Sequence, residues 1–281
     1  MSFVFSHVTK RFGSVVAIDD VSMRFEPGLI YAMIGPNGAG KSTLVNMAAG
    51  SYSVTAGSIL LDDQPLQHLK KHQIAQAGVA RTYQNIRLFD QMTVLDNLEV
   101  ALAAADLRHT WREVLAPGYA RQAATRRRQV CLQYLREFDL DDAADAHAEL
   151  LPYGRQRMLE IARALVAGPR VLLLDEPAAG LNSAETESLK HRLLRLRRPD
   201  RVMIVIEHDM ELVMSLSDRI YVLHHGALLF GGTPHEVQAN RDVQEAYLGT
   251  DDDLDAIHEL ARNRRAGRRL RDETGAVRHP A

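Results

Sequence analysis

The sequence of 281 residues predicts an α/β fold whose sheet is parallel and covered on both faces. Three apolar runs, 29–34 (LIYAMI), 171–174 (VLLL) and 202–206 (VMIVI), lack polar alternation. Strands of that kind are buried on both sides, the usual condition of a parallel sheet. Helical spacing fills the intervals between them, and strand–helix alternation places helices on both sheet faces. A glycine-rich loop follows the first run and opens a helix, the order of a phosphate-binding turn.

Taken along the chain, the run at 29–34 leads through the loop into a helix expected over 43–49. A short strand is expected at 79–82. The stretch from about 90 to 150 is rich in Ala, Leu, Arg and Gln and carries no strand pattern, so it reads as an inserted helical subdomain. Residues 155–167 set Met158, Leu159, Ala162, Leu165 and Val166 at helical spacing and stop at Gly168-Pro169. Residues 184–198 place Leu189, Leu193 and Leu196 on one stripe. The segment 250–281 is blocked in charge and reads as a flexible tail, a short helix at most.

Composition bounds the function. The chain is 46% hydrophobic and 25% charged, enough apolar content for a real core. Its 34 basic and 36 acidic residues leave a net charge of −2, which gives no global pull toward nucleic acid or an anionic membrane. The single cysteine, Cys131, rules out an internal disulfide and suits a reducing compartment. No run approaches the roughly 18–20 apolar residues of a membrane span. The N-terminus turns polar too soon for a signal peptide. The chain is expected to stay where it is made and to reach a membrane only through a partner.

Two motifs carry chemistry. Gly35-Pro36-Asn37-Gly38-Ala39-Gly40-Lys41-Ser42-Thr43 fits G-x-x-x-x-G-K-[ST]. Its glycines let backbone N–H groups curl around phosphates, and the helix N-terminus adds partial positive charge. Lys41 is expected to reach the β- and γ-phosphates, and the Ser42 hydroxyl to bind Mg²⁺. The second motif, VLLLDEP, puts Asp175 and Glu176 at the carboxyl end of an apolar strand, where ligands bind in open α/β sheets. Asp175 is expected to hold Mg²⁺, and Glu176 to act as general base on the attacking water. Two adjacent carboxylates beside phosphates imply a cation. These motifs alone leave kinases, GTPases and helicases open.

Further motifs make the sequence, over about residues 3–249, resemble the ATPase subunits of ABC transporters. Phe12 in Arg11-Phe12-Gly13 matches the aromatic residue that stacks on adenine. Gln84 in ARTYQN matches the glutamine that touches Mg²⁺ or the attacking water. His208 in VIEHD matches the histidine that senses the γ-phosphate. Residues 179–182 match the loop that contacts the opposite subunit, with Asn182 where the family usually has Asp. The signature Leu-Ser-Gly-Gly-Gln is Leu151-Pro152-Tyr153-Gly154-Arg155 here. The Ser hydroxyl is absent, Gly154 remains for backbone contact, and Arg155 offers a charged donor.

The resemblance implies a P-loop core over residues 1–249 with an antiparallel β subdomain and a helical subdomain at about 86–155. It implies ATP and Mg²⁺ as cofactors and a second ATPase subunit, identical or related, because each site is completed by the partner's signature helix. It also implies transmembrane permease subunits, an indirect solute-binding protein, and a place on the cytoplasmic face of the membrane. Ile86, Leu88, Phe89 and Met92 are candidates for the groove that receives the permease. The runs 78–101, 174–182, 205–223 and 232–249 are most similar to the branched-chain amino acid importers, with urea and short-amide systems as the alternative. A soluble ABC protein acting on ribosomes or DNA and a small-molecule P-loop kinase are the readings from other classes.

Overall fold

The computed structural model describes residues 2–105 and 117–248, with the side chains of 117–119 and of 247–248 left out. The expectation for the tail at 250–281 lies outside these residues. An antiparallel sheet comes first in the chain. It contains β1 (Phe3–Phe12), β2 (Val15–Phe25), β4 (Ala56–Leu61) and β5 (Gln64–Pro65) in the order β2-β1-β4-β5. Both long strands change phase midway. His7 and Asp20 adopt left-handed backbone, with φ of 50° and 49°. The β1–β2 register shifts between Phe5 and Val8, and the His7 Nδ1 to Asp20 Oδ1 distance is 2.8 Å. Phe3 and Phe5 therefore share the buried face with Val8, three residues further on, rather than with residue 7.

The second sheet has six strands in the order β10-β9-β3-β8-β7-β6. Here β3 is Ile30–Ile34, β6 Val79–Arg81, β7 Val171–Asp175, β8 Val202–Ile206, β9 Arg219–His224 and β10 Ala227–Gly232. Strands β9, β3, β8, β7 and β6 run parallel, and β10 closes the edge antiparallel. Every residue of β3, β7 and β8 is buried, as their unbroken apolar pattern requires.

One face of this sheet packs on the antiparallel sheet and on α1 (Lys41–Ala48), through Tyr31, Met33, Leu44, Val45 and Phe25. The other face meets α5 (Tyr153–Val166) and α6 (Ser183–Arg195), through Leu159, Ala162, Leu189 and Leu193. Between β6 and β7 the chain leaves the sheet as α3 (Val94–Ala105) and α4 (Pro117–Glu137), which pack on α5. Val94, Leu98, Cys131, Leu135 and Phe138 form their common core. Burial pushes the Cys131 thiol up to about 11, so it stays protonated and serves as packing. The helices α2 (Lys71–Gln76), α7 (Met210–Leu216), α8 (Pro234–Ala239) and α9 (Arg241–Leu248) complete the described α-helices. Among the described residues no helix is long and apolar enough to cross a membrane.

Candidate nucleotide site

Parallel pairing brings four strand ends to one edge. Gly35 follows β3, Thr82–Gln84 follow β6, Asp175 ends β7, and Glu207–His208 follow β8. This is the carboxyl edge at which open α/β sheets bind ligands.

The loop at 35–40 turns sharply from β3 into α1. Gly35 has φ of 151°, and a Cβ there would lie 2.2 Å from the Leu223 carbonyl oxygen. No side-chain hydrogen bond caps the N-terminus of α1, whose N-cap is Gly40, and a helix N-terminus of this kind suits an anion. The Lys41 ammonium donates to the carbonyls of Gly35 at 2.5 Å and Pro36 at 3.2 Å, which folds it over its own loop. A cleft of about 560 Å³ opens here, lined by Val15, Val16 and Ala17, by Asn37 through Thr43, and by Glu176, His225 and Gly226.

Asp175 and Glu176 are adjacent but differently partnered. The Arg81 guanidinium donates to Asp175 Oδ2 at 2.7 Å, with both side chains almost fully buried. Arg81 also donates to Asn46 Oδ1 at 2.7 Å, and Asn46 donates to the Ser42 carbonyl at 2.7 Å. Glu176 stands on left-handed backbone, φ 47°, and lines the cleft. Gln84 donates to its Oε2 at 2.7 Å. His208 Nδ1 lies 4.0 Å from Glu176 Oε2 and 4.0 Å from Glu207 Oε2, near both but beyond hydrogen-bond reach. The buried Glu207 carboxyl accepts from the Ala178 N–H at 2.8 Å, and burial pushes its pKa up.

Phe12, at the end of β1 and paired with Val15, does not itself line the cleft; it is 43% exposed, edge-on to Tyr52 at 5.3 Å and under the Lys10 ammonium at 4.8 Å. Its ring is in the open, as a stacking platform requires. The structure thus gathers the residues of the 35–43 loop, Gln84, Asp175, Glu176 and His208 at one edge.

Residues 151–155 are elsewhere. They form the entry to α5 and do not line this cleft. Pro152 and Tyr153 are exposed, and the Tyr153 hydroxyl donates to the Ala179 carbonyl at 3.1 Å. Arg155 is engaged within its own chain, with the Asp142 carboxylate and, at 3.0 Å, the Asp139 carbonyl. Gly154 abuts α6, where a Cβ would lie 2.4 Å from Glu185 Oε1 and 3.0 Å from its Cδ.

Two supporting pairs were not read from the sequence. Arg157, fully buried, donates to the carbonyls of Tyr83 and Gln84 at 2.7 Å each, to Glu160 at 2.9 Å and to the Tyr153 hydroxyl at 3.2 Å. Glu160 accepts from the N–H groups of Tyr83 at 3.3 Å and Arg87 at 3.2 Å. The sequence signal was present as two charges, three apart, in a helix buried on both sides, opposite the face that carries Leu159 and Ala162. The Arg81–Asn46 pair had no such signal, because only sheet order makes β6 and β7 neighbours.

The donor set suits Mg²⁺. Ser42 offers a hydroxyl, Asp175 a carboxylate and Gln84 an amide oxygen, all hard oxygens. No group of three or more His, Cys, Asp or Glu side chains able to hold a metal occurs among the described residues. A site of few protein ligands is the habit of Mg²⁺, which keeps waters and takes oxygens from phosphates.

Comparison with known proteins agrees with this geometry. The ABC transporter family profile matches residues 18–179, and the profile of branched-chain amino acid ATP-binding cassette transporters matches 228–253. The chain is 45% identical over 249 residues to the high-affinity branched-chain amino acid transport ATP-binding protein BraF of Pseudomonas aeruginosa, covering 87% of this chain and 96% of that one. It is 44% identical over 240 residues to the corresponding protein LivG of Escherichia coli, covering 85% and 94%. Among solved structures, the ATP-binding cassette MJ1267 in its ADP conformation superposes with a TM-score of 0.75 at 25% identity, over 89% of this chain and 99% of that one. The P-loop edge, the helical insert and these matches together place the chain in the ABC transporter family, as one of its nucleotide-binding ATPase subunits.

Proposed function

We propose that this chain energises the uptake of branched-chain amino acids by hydrolysing MgATP at a site shared between two ATPase subunits. The names of the BraF and LivG relatives and the C-terminal profile match at 228–253 support the solute class. In this reading the N–H groups of 38–43 and Lys41 hold the phosphates, and Phe12 stacks on the base. Ser42, Asp175 and Gln84 are the residues to hold Mg²⁺, which when bound offsets phosphate charge. Glu176 draws a proton from the attacking water while Gln84 orients its carboxylate, and His208 senses the terminal phosphate.

Pro152, Tyr153, Gly154 and Arg155 do not line the chain's own cleft, which supports their service to a nucleotide held by a partner. A half-site of that kind needs a dimer, joined by two-fold symmetry. Phe89 is 48% exposed beside Arg163, whereas Leu88 packs into the insert's own core. That division supports Phe89 as a contact for a permease, which would hold the subunit at the cytoplasmic face of the membrane.

The observation that carries the hydrolytic assignment is the 2.7 Å bond from Gln84 to Glu176 at the mouth of the phosphate loop. The Glu176→Gln variant is expected to bind MgATP normally, to lose about 10²–10⁴-fold in turnover, and to accumulate as an ATP-bound dimer in size exclusion. Wild-type turnover in that variant removes Glu176 from the role of base. Loss of leucine uptake, with urea uptake retained, in cells lacking this subunit is the expected outcome for the solute class.

A further inference from the structure

The Arg81 guanidinium is fixed against the one carboxylate that is assigned to the cation. It bridges Asp175 Oδ2 and Asn46 Oδ1 at 2.7 Å each, and Asn46 ties the bridge to the Ser42 carbonyl at 2.7 Å. The Arg81 and Asp175 side chains are only 8% and 7% exposed. Arg81 Nε is buried and has no hydrogen-bond partner among the described residues. The guanidinium carbon also lies 4.8 Å from the Tyr83 ring centre, which holds the group from a further side. The neighbouring Glu176 is countered by a neutral amide instead. Of two adjacent carboxylates, the metal-facing one is thus already matched by a full positive charge.

That arrangement has an electrostatic consequence. A divalent cation that arrives without nucleotide meets a neutralised Asp175 and the repulsion of Arg81. One that arrives with a triphosphate brings the negative charge that offsets Arg81. We propose that Arg81 is a positioning residue that makes cation binding at Asp175 conditional on nucleotide. This rests on the assignment of Asp175 to the cation. The guanidinium holds Asp175 Oδ2, leaves Oδ1 outside that bond, and keeps the empty site from filling with free metal.

The test is Mn²⁺ titration of the full chain followed by the electron paramagnetic resonance signal of free Mn²⁺, with thermal unfolding to verify folding. Nucleotide-free wild type is expected to show no Mn²⁺ binding that the Asp175→Asn variant abolishes. Nucleotide-free Arg81→Gln is expected to bind Mn²⁺ at least about tenfold more tightly, within the usual range of coupling between two sites, and Arg81→Gln/Asp175→Asn to lose that gain. Arg81→Lys, which keeps the charge, is expected to stay as silent as wild type. A folded Arg81→Gln variant that binds no more tightly than wild type overturns the proposal. So does Asp175-dependent Mn²⁺ binding by the nucleotide-free wild type, a result that needs no change at Arg81. With ADP present, wild type is expected to bind Mn²⁺ and Asp175→Asn to weaken it. Failure of that arm strikes the Asp175 assignment and the Arg81 proposal with it, whereas an Arg81→Gln variant as silent as wild type, with that arm intact, strikes the role of Arg81 alone.

Discussion

Arg157 donates to the main-chain carbonyl of Gln84 at 2.7 Å, so a buried side chain of α5 holds the backbone that carries the amide facing Glu176. The same guanidinium is paired with Glu160, itself 2% exposed and with its pKa pushed up by burial. The contact recognises carbonyls at 83 and 84 and is indifferent to the side chains there.

Breaking this pair on one side leaves an uncompensated charge in the core. Arg157→Met is expected to lose about 3–5 kcal/mol of stability in chemical denaturation. The double variant Arg157→Met/Glu160→Leu is expected to recover part of that loss, because the orphaned carboxylate is gone. A double variant as unstable as the two single losses added together shows that the two groups act independently.

Gly35 lies where neither the backbone angle nor the space admits a side chain. Gly35→Ala adds a methyl 2.2 Å from the Leu223 carbonyl and places alanine at φ 151°. Relief requires β9 to move away from β3, its parallel neighbour in the sheet. The variant is expected to lose about 1–3 kcal/mol and to bind nucleotide more weakly, both read from thermal unfolding with and without ATP. Unchanged stability with unchanged ATP protection contradicts the close approach.

The Glu207 carboxyl carries a pH dependence of definite sign. Burial raises its folded-state pKa above the unfolded value, so the folded protein holds the extra proton between the two. Stability from this group is present at pH below the unfolded value and falls as pH rises through the folded one. Glu207→Gln keeps an oxygen for the Ala178 N–H but does not titrate. The wild-type Tm is therefore expected to decline relative to the variant as pH rises above the ordinary glutamate range. Glu160 titrates in the same direction in both proteins and cancels from the difference.

The parallel core and its loop were legible because the signal there is local. The runs at 29–34, 171–174 and 202–206 needed only their own composition, and they appear as β3, β7 and β8. The helix expected over 43–49 begins at Lys41, because the loop glycines let α1 start without a capping side chain. By contrast, β1 and β2 gave no period-two pattern of their own. The breaks at His7 and Asp20 reset the alternation halfway along each strand, and an antiparallel subdomain was expected only through family resemblance. At the site, the 35–43 loop and the Asp175-Glu176 pair were readable from their own segments, whereas Phe12, Gln84, His208 and residues 151–155 were singled out only through family resemblance. The bonds of Arg81 to Asp175 and of Arg157 to Gln84 join positions 94 and 73 apart in sequence, a pairing that only the folded sheet order creates.

Gly154 has a reason to be glycine that lies inside its own subunit. The Glu185 carboxylate against it also accepts the Asn182 N–H at 2.9 Å, and Asn182 accepts from Glu185 N–H at 3.0 Å, closing the reciprocal cap of α6. A methyl at 154 would push on that cap. Loss of activity in a Gly154 variant would thus reflect a disturbed helix start at home as well as the loss of the contact proposed with a partner's nucleotide. Melting temperature of the isolated chain separates them, since only the domestic fault lowers it.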